Sequence, residues 1–413
     1  MNVARRFEPP TSPPVRGRDL ALEGVRGFCA LAVFYAHLFM PQRVLDPRWS
    51  PSPKFWWFNL GYPAVLMFFV LSGYVIGLTV TGPATGAAIR HYLTNRAARL
   101  LPMNTIAVAL SCLLLADVTW RLFLGNLFLL QNEEPYPLLG QIPLLANNPN
   151  LWSLNYELVY YLVFVALWRF RPPVIAVVGG LLLVVSAYCV GLPVTEFFAR
   201  YACGALYWLA GLSVAWMTTS PTTEPRSNWP SAVLVAFALW VFAPLRGLVF
   251  DWGLFGWTWL SAVSPHRLDY LPVCVWVLLA VTGRAPRLAS SLRTICLVLA
   301  TAGLIARAVS GTWGGADWCG TTALAAAWAL GWQTRSVAFL RWFAPLGGIS
   351  FALYVIAAPI QLGQRAILPS FAGSALTFSV RLVAVVAVVM IVAWILERKI
   401  CPWFGRRIRA LAQ

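Results

Sequence analysis

The sequence predicts an all-α fold, a polytopic bundle of transmembrane helices with about ten to twelve spans and both termini in the cytoplasm. Three observations lead there. The chain of 413 residues is 60% hydrophobic and only 11% charged, whereas a soluble domain carries about 25% charged residues. Its apolar residues come in runs close to the ~20 residues that cross a bilayer. Its arginines gather in alternate connections between those runs, which is how orientation is written into a membrane protein.

The apolar segments lie at about 20–41, 62–82, 101–118, 152–169, 173–190, 196–217, 230–246, 269–283, 292–310, 318–333, 346–365 and 376–397. The segments at 269–283 and 318–333 are short for a bilayer and mark the lower count. One set of connections carries Arg90, Arg96 and Arg99, then Arg169 and Arg171, then Arg226, then Arg284, Arg287 and Arg293, then Arg335 and Arg341. The alternate set carries Asp46, Glu133, Glu134, Asp251, Asp269 and Asp317. The positive-inside rule places the arginine-bearing set, and both tails with it, in the cytoplasm. Residues 1–18 read as a disordered cytoplasmic tail, 19–400 as the membrane domain and 401–413 as a basic cytoplasmic tail. Arg5-Arg6-Phe7 is followed by Pro9, Pro10, Pro13 and Pro14 rather than an apolar stretch, so no cleavable signal peptide is expected.

A net charge of +17 raises the question of nucleic acid. The cations sit at the ends of apolar runs, where they set topology and meet lipid headgroups, so nucleic acid is not an expected partner and membrane lipid is. The eight cysteines form no CxxC pair and no Cys/His cluster. They read as small buried hydrophobes, and no metal site is expected.

Chemistry is sought where ionisable residues interrupt apolar runs, because such residues are costly in lipid. Arg26 and His37 lie in the first run. Eleven steps of ~100° bring them to one helix face, about 16 Å apart along the axis. Glu157, in Leu151-Trp152-Ser153-Leu154-Asn155-Tyr156-Glu157, enters its span from the outside and reaches about the depth of His37. A carboxylate at an imidazole fixes its tautomer and suits general-base chemistry. Arg96 and Arg99, three residues apart on one face before the third run, suit a phosphorylated ligand; plain topology anchoring is the alternative. Phe68-Phe69-Val70-Leu71-Ser72-Gly73-Tyr74 offers small residues for close helix packing. Trp49, Phe55, Trp56, Trp57 and Phe58, and later Trp252, Trp257 and Trp259, form either interfacial belts or stacking surfaces for sugars.

Taken in order, these segments resemble the acyltransferase-3 family of bacterial membrane O-acyltransferases. The opening Leu22-Glu23-Gly24-Val25-Arg26-Gly27-Phe28 is similar to that family's LDGLRG start. Its R-x10-H pattern falls on Arg26 and His37, and its FFVLSGY segment on Phe68 to Tyr74. Its RxxR and Leu-Pro run fall on Arg96, Arg99 and Leu101-Pro102, and its WSLxxE on Trp152, Ser153, Leu154 and Glu157. Gly348 to Tyr354 is similar to its ISYSLYL stretch. Ala357 stands where many members have a histidine, which leaves the chemistry to His37, and an SGNH hydrolase-like domain, which some members carry, is not expected here.

The resemblance implies an acyl-CoA donor, acetyl-CoA by default, entering from the cytoplasm with its phosphates at Arg96 and Arg99. Its pantetheine arm would pass Arg26, and its thioester would meet His37, oriented by Glu157. The acceptor would be a hydroxyl of an extracytoplasmic glycan or glycolipid, reached directly or through a separate periplasmic partner, at the bacterial inner membrane. A proton-coupled transporter or flippase of a polar solute is the competing reading of the same polar stripe.

Overall fold

The computed structural model describes residues 19–39, 45–115, 117–132, 142–189, 192, 195–217, 229–242, 268–311, 313–330 and 337–411. They are almost entirely helical. Helix α1 is Leu20–Phe39, α2 Gly61–Thr79, α3 Gly86–Leu113 and α4 Trp120–Leu127. Two short strands, β1 (Gln131–Asn132) and β2 (Ile142–Pro143), pair in parallel with Gln131 opposite Ile142. Helix α5, Trp152–Phe170, is entered through a 3-10 turn at Pro149–Leu151. Then come α6 (Val174–Cys189), α7 (Thr195–Ala215), α8 (Trp229–Phe242), α9 (Tyr270–Thr282) and α10 (Pro286–Val309). The chain closes with α11 (Gly315–Leu330), α12 (Val337–Gly347), α13 (Ser350–Ile367), α14 (Ala375–Ile395), a π-helical turn at Leu396–Ile400 and α15 (Cys401–Leu411).

Five of the described stretches are long and apolar enough to cross a membrane: α1, α2, Pro149–Phe170, α10, and Ala375–Leu411. A sixth arises if α12 and α13, which flank a break at Gly348-Ile349, are taken as one. Shorter apolar helices occupy α6, α8 and α9. The fold is that of a multi-pass membrane protein. The expected span at 101–118 is the second half of α3, whose first half carries Arg90, Arg96 and Arg99. Hydropathy sees only the apolar half, but no breaker precedes it and the helix begins at Gly86, capped by the Thr85 hydroxyl on Ala88 N–H.

The chain forms two compact units. One comprises Met1–Val25, Trp57–Gly82 and Phe170–Ala344; the other comprises Arg26–Trp56, Pro83–Arg169 and Pro345–Gln413.

In the first unit α2 and α7 meet backbone to backbone. A Cβ placed on Gly73 would stand 1.9 Å from the Trp208 carbonyl oxygen, and one on Gly211 would stand 1.8 Å from that of Val70. Only glycine allows this approach, so the packing role expected of Ser72-Gly73 is found, with α7 as the partner. Gly77, one turn on, makes room for the Ala215 methyl, which would stand 2.6 Å from a Cβ placed there. Gly24 of α1 lies as tightly on the Leu340 carbonyl of α12. Arg284 Nη1 donates to the carbonyls of Ala215 (2.9 Å), Val214 (3.3 Å) and Met217, closing the C-terminus of α7. Ser231 joins α8 to α11 through the Ala327 carbonyl at 2.8 Å.

The second unit is joined by amide side chains. Asn104 of α3 donates to the Asn126 and Leu127 carbonyls at the end of α4, both at 3.0 Å. Asn147 Nδ2 reaches the Ser111 carbonyl (2.8 Å), Gln131 the Leu151 carbonyl (2.8 Å) and Asn155 the Leu129 carbonyl (2.6 Å). Backbone groups that helix geometry leaves open are thereby satisfied away from water. Pro102 has no N–H to give the Ala98 carbonyl. Gly405 of α15 comes to that same oxygen, where a Cβ would stand 3.2 Å away. The segment expected as a basic tail is thus, through Leu411, a helix packed on α3.

Candidate functional site

Arg26, His37, Arg96, Arg99 and Glu157 all belong to the second unit. Arg26 is half-buried in the second turn of α1, and His37 is half-buried in its last turn. Arg96 and Arg99 occupy the middle of α3, Arg96 half-buried and Arg99 exposed. Glu157 is half-buried in the second turn of α5.

The structure joins Arg96 and Glu157 through Tyr161, a residue that sequence reasoning did not name. The buried Tyr161 hydroxyl, one turn beyond Glu157 on α5, donates to Glu157 Oε1. The Arg96 guanidinium stands 5.6 Å from the Tyr161 ring centre and 5.5 Å from that of Tyr92. Stacking between two rings gives the cation a favourable face and holds it in place. Arg99 also acts on the Tyr161 hydroxyl by its charge. The arginine pair and the α5 carboxylate therefore form one electrostatic group.

A second acid joins the arginines. Glu397, in the π-helical turn, accepts the N–H of Ala352, and the strongest positive charges on it are Arg99 and then Arg26. Arg26 and Arg99 come from different helices, and the charge of both acts on this carboxylate. The sequence signal was present but faint: an acid closing the last apolar run, beside Arg398 and Lys399.

His37 sits in a different set of contacts. Its Nδ1 lies 3.4 Å from Asn150 Nδ2, and its backbone carbonyl accepts from Gln361 Nε2 at 2.6 Å. Asn150 Nδ2 also donates to the Tyr354 carbonyl at 2.8 Å, and Ser153 Oγ donates to the Tyr354 hydroxyl at 2.9 Å. Asn148 Nδ2 donates to the Val355 carbonyl at 2.9 Å. Pro359 explains why α13 has carbonyls to offer here. Lacking an N–H, it cannot bond the carbonyl four residues back, which is that of Val355, and its ring disturbs the turn. His37 therefore meets the α5 segment at Asn150, seven residues before Glu157 and about 10 Å away along the axis. The amide run Asn147-Asn148-Pro149-Asn150 before the WSL segment was the available signal for this contact.

Of the outer aromatic residues, Phe55 stacks on Phe39 at 5.2 Å and Trp49 packs on Phe378 at 5.0 Å. They cover the ends of α1 and α14. Trp252, Trp257 and Trp259 lie outside the described residues. Among the described residues no group of three His, Cys, Asp or Glu could hold a metal ion.

A multi-pass helical protein with paired arginines, carboxylates and an interface histidine in one unit is thus defined before any comparison. The sequence profile of the acyltransferase-3 family, described as an acyltransferase domain, matches residues 19–398. The chain belongs to that family. It is also similar to acyltransferase MdmB of Streptomyces mycarofaciens, 28% identical over 165 residues, which is 38% of this chain and 40% of that protein. The match therefore spans less than half the length of that curated relative. No solved structure matches the chain.

Proposed function

We propose that this protein transfers an acyl group, acetyl by preference, from cytoplasmic acyl-CoA to a hydroxyl of an extracytoplasmic glycan or glycolipid at the bacterial inner membrane. One observation carries the reading: a chain of the acyltransferase-3 family gathers Arg26, His37, Arg96, Arg99 and Glu157 into one compact unit. Arg96 and Arg99 would receive the donor's phosphates by charge-assisted hydrogen bonds. Arg26 would line the path of the pantetheine arm. His37 would take the proton of the acceptor hydroxyl, with Glu157, held by Tyr161 in the same unit, as an anion that favours the imidazolium through its charge rather than by contact. General-base help of this kind is worth about 10²–10⁴ in rate, and holding donor and acceptor together supplies more. Both termini are assigned to the cytoplasm from the arginine distribution, which puts Arg96 and Arg99 on the donor side. Delivery to the acceptor is direct or passes through a separate periplasmic partner.

The test is mass spectrometry of surface glycans from cells with and without the gene. A fixed mass difference that names the acyl group is expected. Identical glycans, together with no acyl-CoA consumption by the purified protein, would reject the reading and favour solute transport.

A further inference from the structure

The contact between Asn150 and His37 selects the ring nitrogen that carries the proton. The Asn150 amide has one orientation open to it, because its Nδ2 lies 2.8 Å from the Tyr354 carbonyl oxygen and a carbonyl only accepts. The other hydrogen of the same NH₂ group faces His37 Nδ1 at 3.4 Å. Opposite an N–H donor, Nδ1 presents its lone pair, and a neutral imidazole then holds its proton on Nε2. Both partners are fixed from behind. Gln361 holds the His37 backbone carbonyl at 2.6 Å, and the neighbouring Asn148 is anchored on the Val355 carbonyl that Pro359 leaves open.

We propose that Asn150 is a positioning residue that holds His37 as the Nε2–H tautomer and so marks Nδ1 as the nitrogen that receives the acceptor's proton. This rests on the reading of His37 as the general base. In the reaction the acceptor O–H bond breaks and its proton passes to Nδ1. The oxygen bonds to the thioester carbonyl carbon, the C–S bond breaks, and the thiolate takes a proton from the imidazolium and leaves as the free thiol. Before that step the acceptor hydroxyl replaces the Asn150 N–H at Nδ1, and a contact as long as this one gives way readily. The Nε2–H end is then a donor, the polarity that suits an anion rather than a second donor. A carboxylate on Nδ1 would impose the opposite tautomer, so an amide at this position is a specific choice.

The sequence holds only three histidines, His37, His91 and His266. With His91 and His266 changed to Gln, ¹⁵N-histidine labelling of the full chain in lipid nanodiscs leaves His37 as its one imidazole signal. That signal should report the Nε2–H tautomer. Asn150→Ala should turn it into a mixture, and Asn150→Asp, whose side chain accepts, should turn it to Nδ1–H. Tyr354→Phe keeps the backbone carbonyl that anchors Asn150 and should leave the signal as in the parent. With acetyl-CoA as donor, Asn150→Ala should lower kcat about 10-fold with KM unchanged, since part of the base's contribution is lost. An Nδ1–H signal in the parent, or a tautomer that neither Asn150 variant moves, overturns the proposal. Full turnover in His37→Ala would instead overturn the base role itself, and the two failures are separable because the spectrum is read without turnover.

Discussion

In the unit containing α2 and α7, helices touch backbone to backbone at Gly73 and Gly211. In the unit containing α3, α5 and α13, the contacts run through side-chain amides: Asn104, Asn147, Asn148, Asn150, Asn155 and Gln361. The first arrangement needs regular helices with small faces. The second is needed where the backbone is irregular, as at the Pro149–Leu151 turn, the Pro359 turn and the end of α4, because open carbonyls away from water must find donors. The candidate chemical residues lie in the second unit. Irregular backbone held by amides can place side chains at angles that a straight helix pair cannot, and here that places an amide on one imidazole nitrogen.

The comparison can be broken first at its tightest contact. Gly73→Ala or Gly211→Ala forces a methyl group into a carbonyl oxygen, which should cost about 3 kcal/mol. Thermal unfolding in detergent should show a large loss of folded protein. A methyl tolerated without loss would mean that the α2–α7 approach is not glycine-dependent.

The next largest effect belongs to the donor site. Arg96→Ala with Arg99→Ala should weaken acyl-CoA binding about 10- to 100-fold, in line with about 1.5–3 kcal/mol for the charge-assisted bonding of the pair, while the fold persists. The loss should shrink as salt rises. Arg→Lys should rescue only in part, because lysine lacks the planar fork and stacks less well between Tyr92 and Tyr161. Titration calorimetry with free CoA reads this directly.

A smaller effect separates the carboxylate from its holder. Glu157→Gln should reduce turnover about 10-fold with the fold retained, and Tyr161→Phe should reduce it less, since the carboxylate stays but loses one hydrogen bond of about 1 kcal/mol. Equal turnover in wild type and Glu157→Gln would detach Glu157 from the chemistry.

The smallest effect concerns Asp46, buried outside the spanning helices. Its carboxylate accepts from the N–H groups of Arg48 (2.9 Å), Trp49 (3.1 Å) and Gly373 (3.0 Å) and from the Thr377 hydroxyl (2.5 Å). Burial alone would raise its pKa, but the bonds from Thr377, Gly373 and Arg48, with the charge of Arg381, hold it below the usual aspartate value. The sign follows: the clasp contributes fully above the ordinary aspartate range and is lost as pH falls through the lowered value. Asp46→Asn should remove about 1–2 kcal/mol at neutral pH and flatten the acid limb of stability. A thermal midpoint measured from pH 7 to pH 3 in both proteins checks it.

How much of this was legible in the sequence follows from what sequence patterns record. Arg26, His37 and Glu157 stood out because ionisable residues in apolar runs are rare, Arg96 and Arg99 because they share a helix face just before such a run, and all five fall in a known order of motifs. The close packing at Ser72-Gly73 was legible for the same reason. Its partner Gly211 was not, because a small residue has no sign of its own until two helices are brought together. Asn150 was missed because amides are ordinary at a membrane boundary, and Tyr354 stood only as the end of a motif with no role attached. The significance of Asn150 depends on the Tyr354 carbonyl of another helix, beside the Val355 carbonyl that Pro359 leaves open. Glu397 was hidden among the cations that mark topology. The span pattern diverged where composition and helix do not coincide, as in α3, where arginines occupy half of one continuous helix.

The central claim is that acyl transfer runs through His37 with acyl-CoA as the donor. The most direct measurement is release of free CoA thiol from acetyl-CoA by the purified full chain in nanodiscs, with a glycan acceptor extract, for wild type and His37→Ala at matched folded concentration. The account predicts acceptor-dependent thiol release by wild type and a loss of at least about 100-fold in the variant. Equal rates in the two proteins would contradict it.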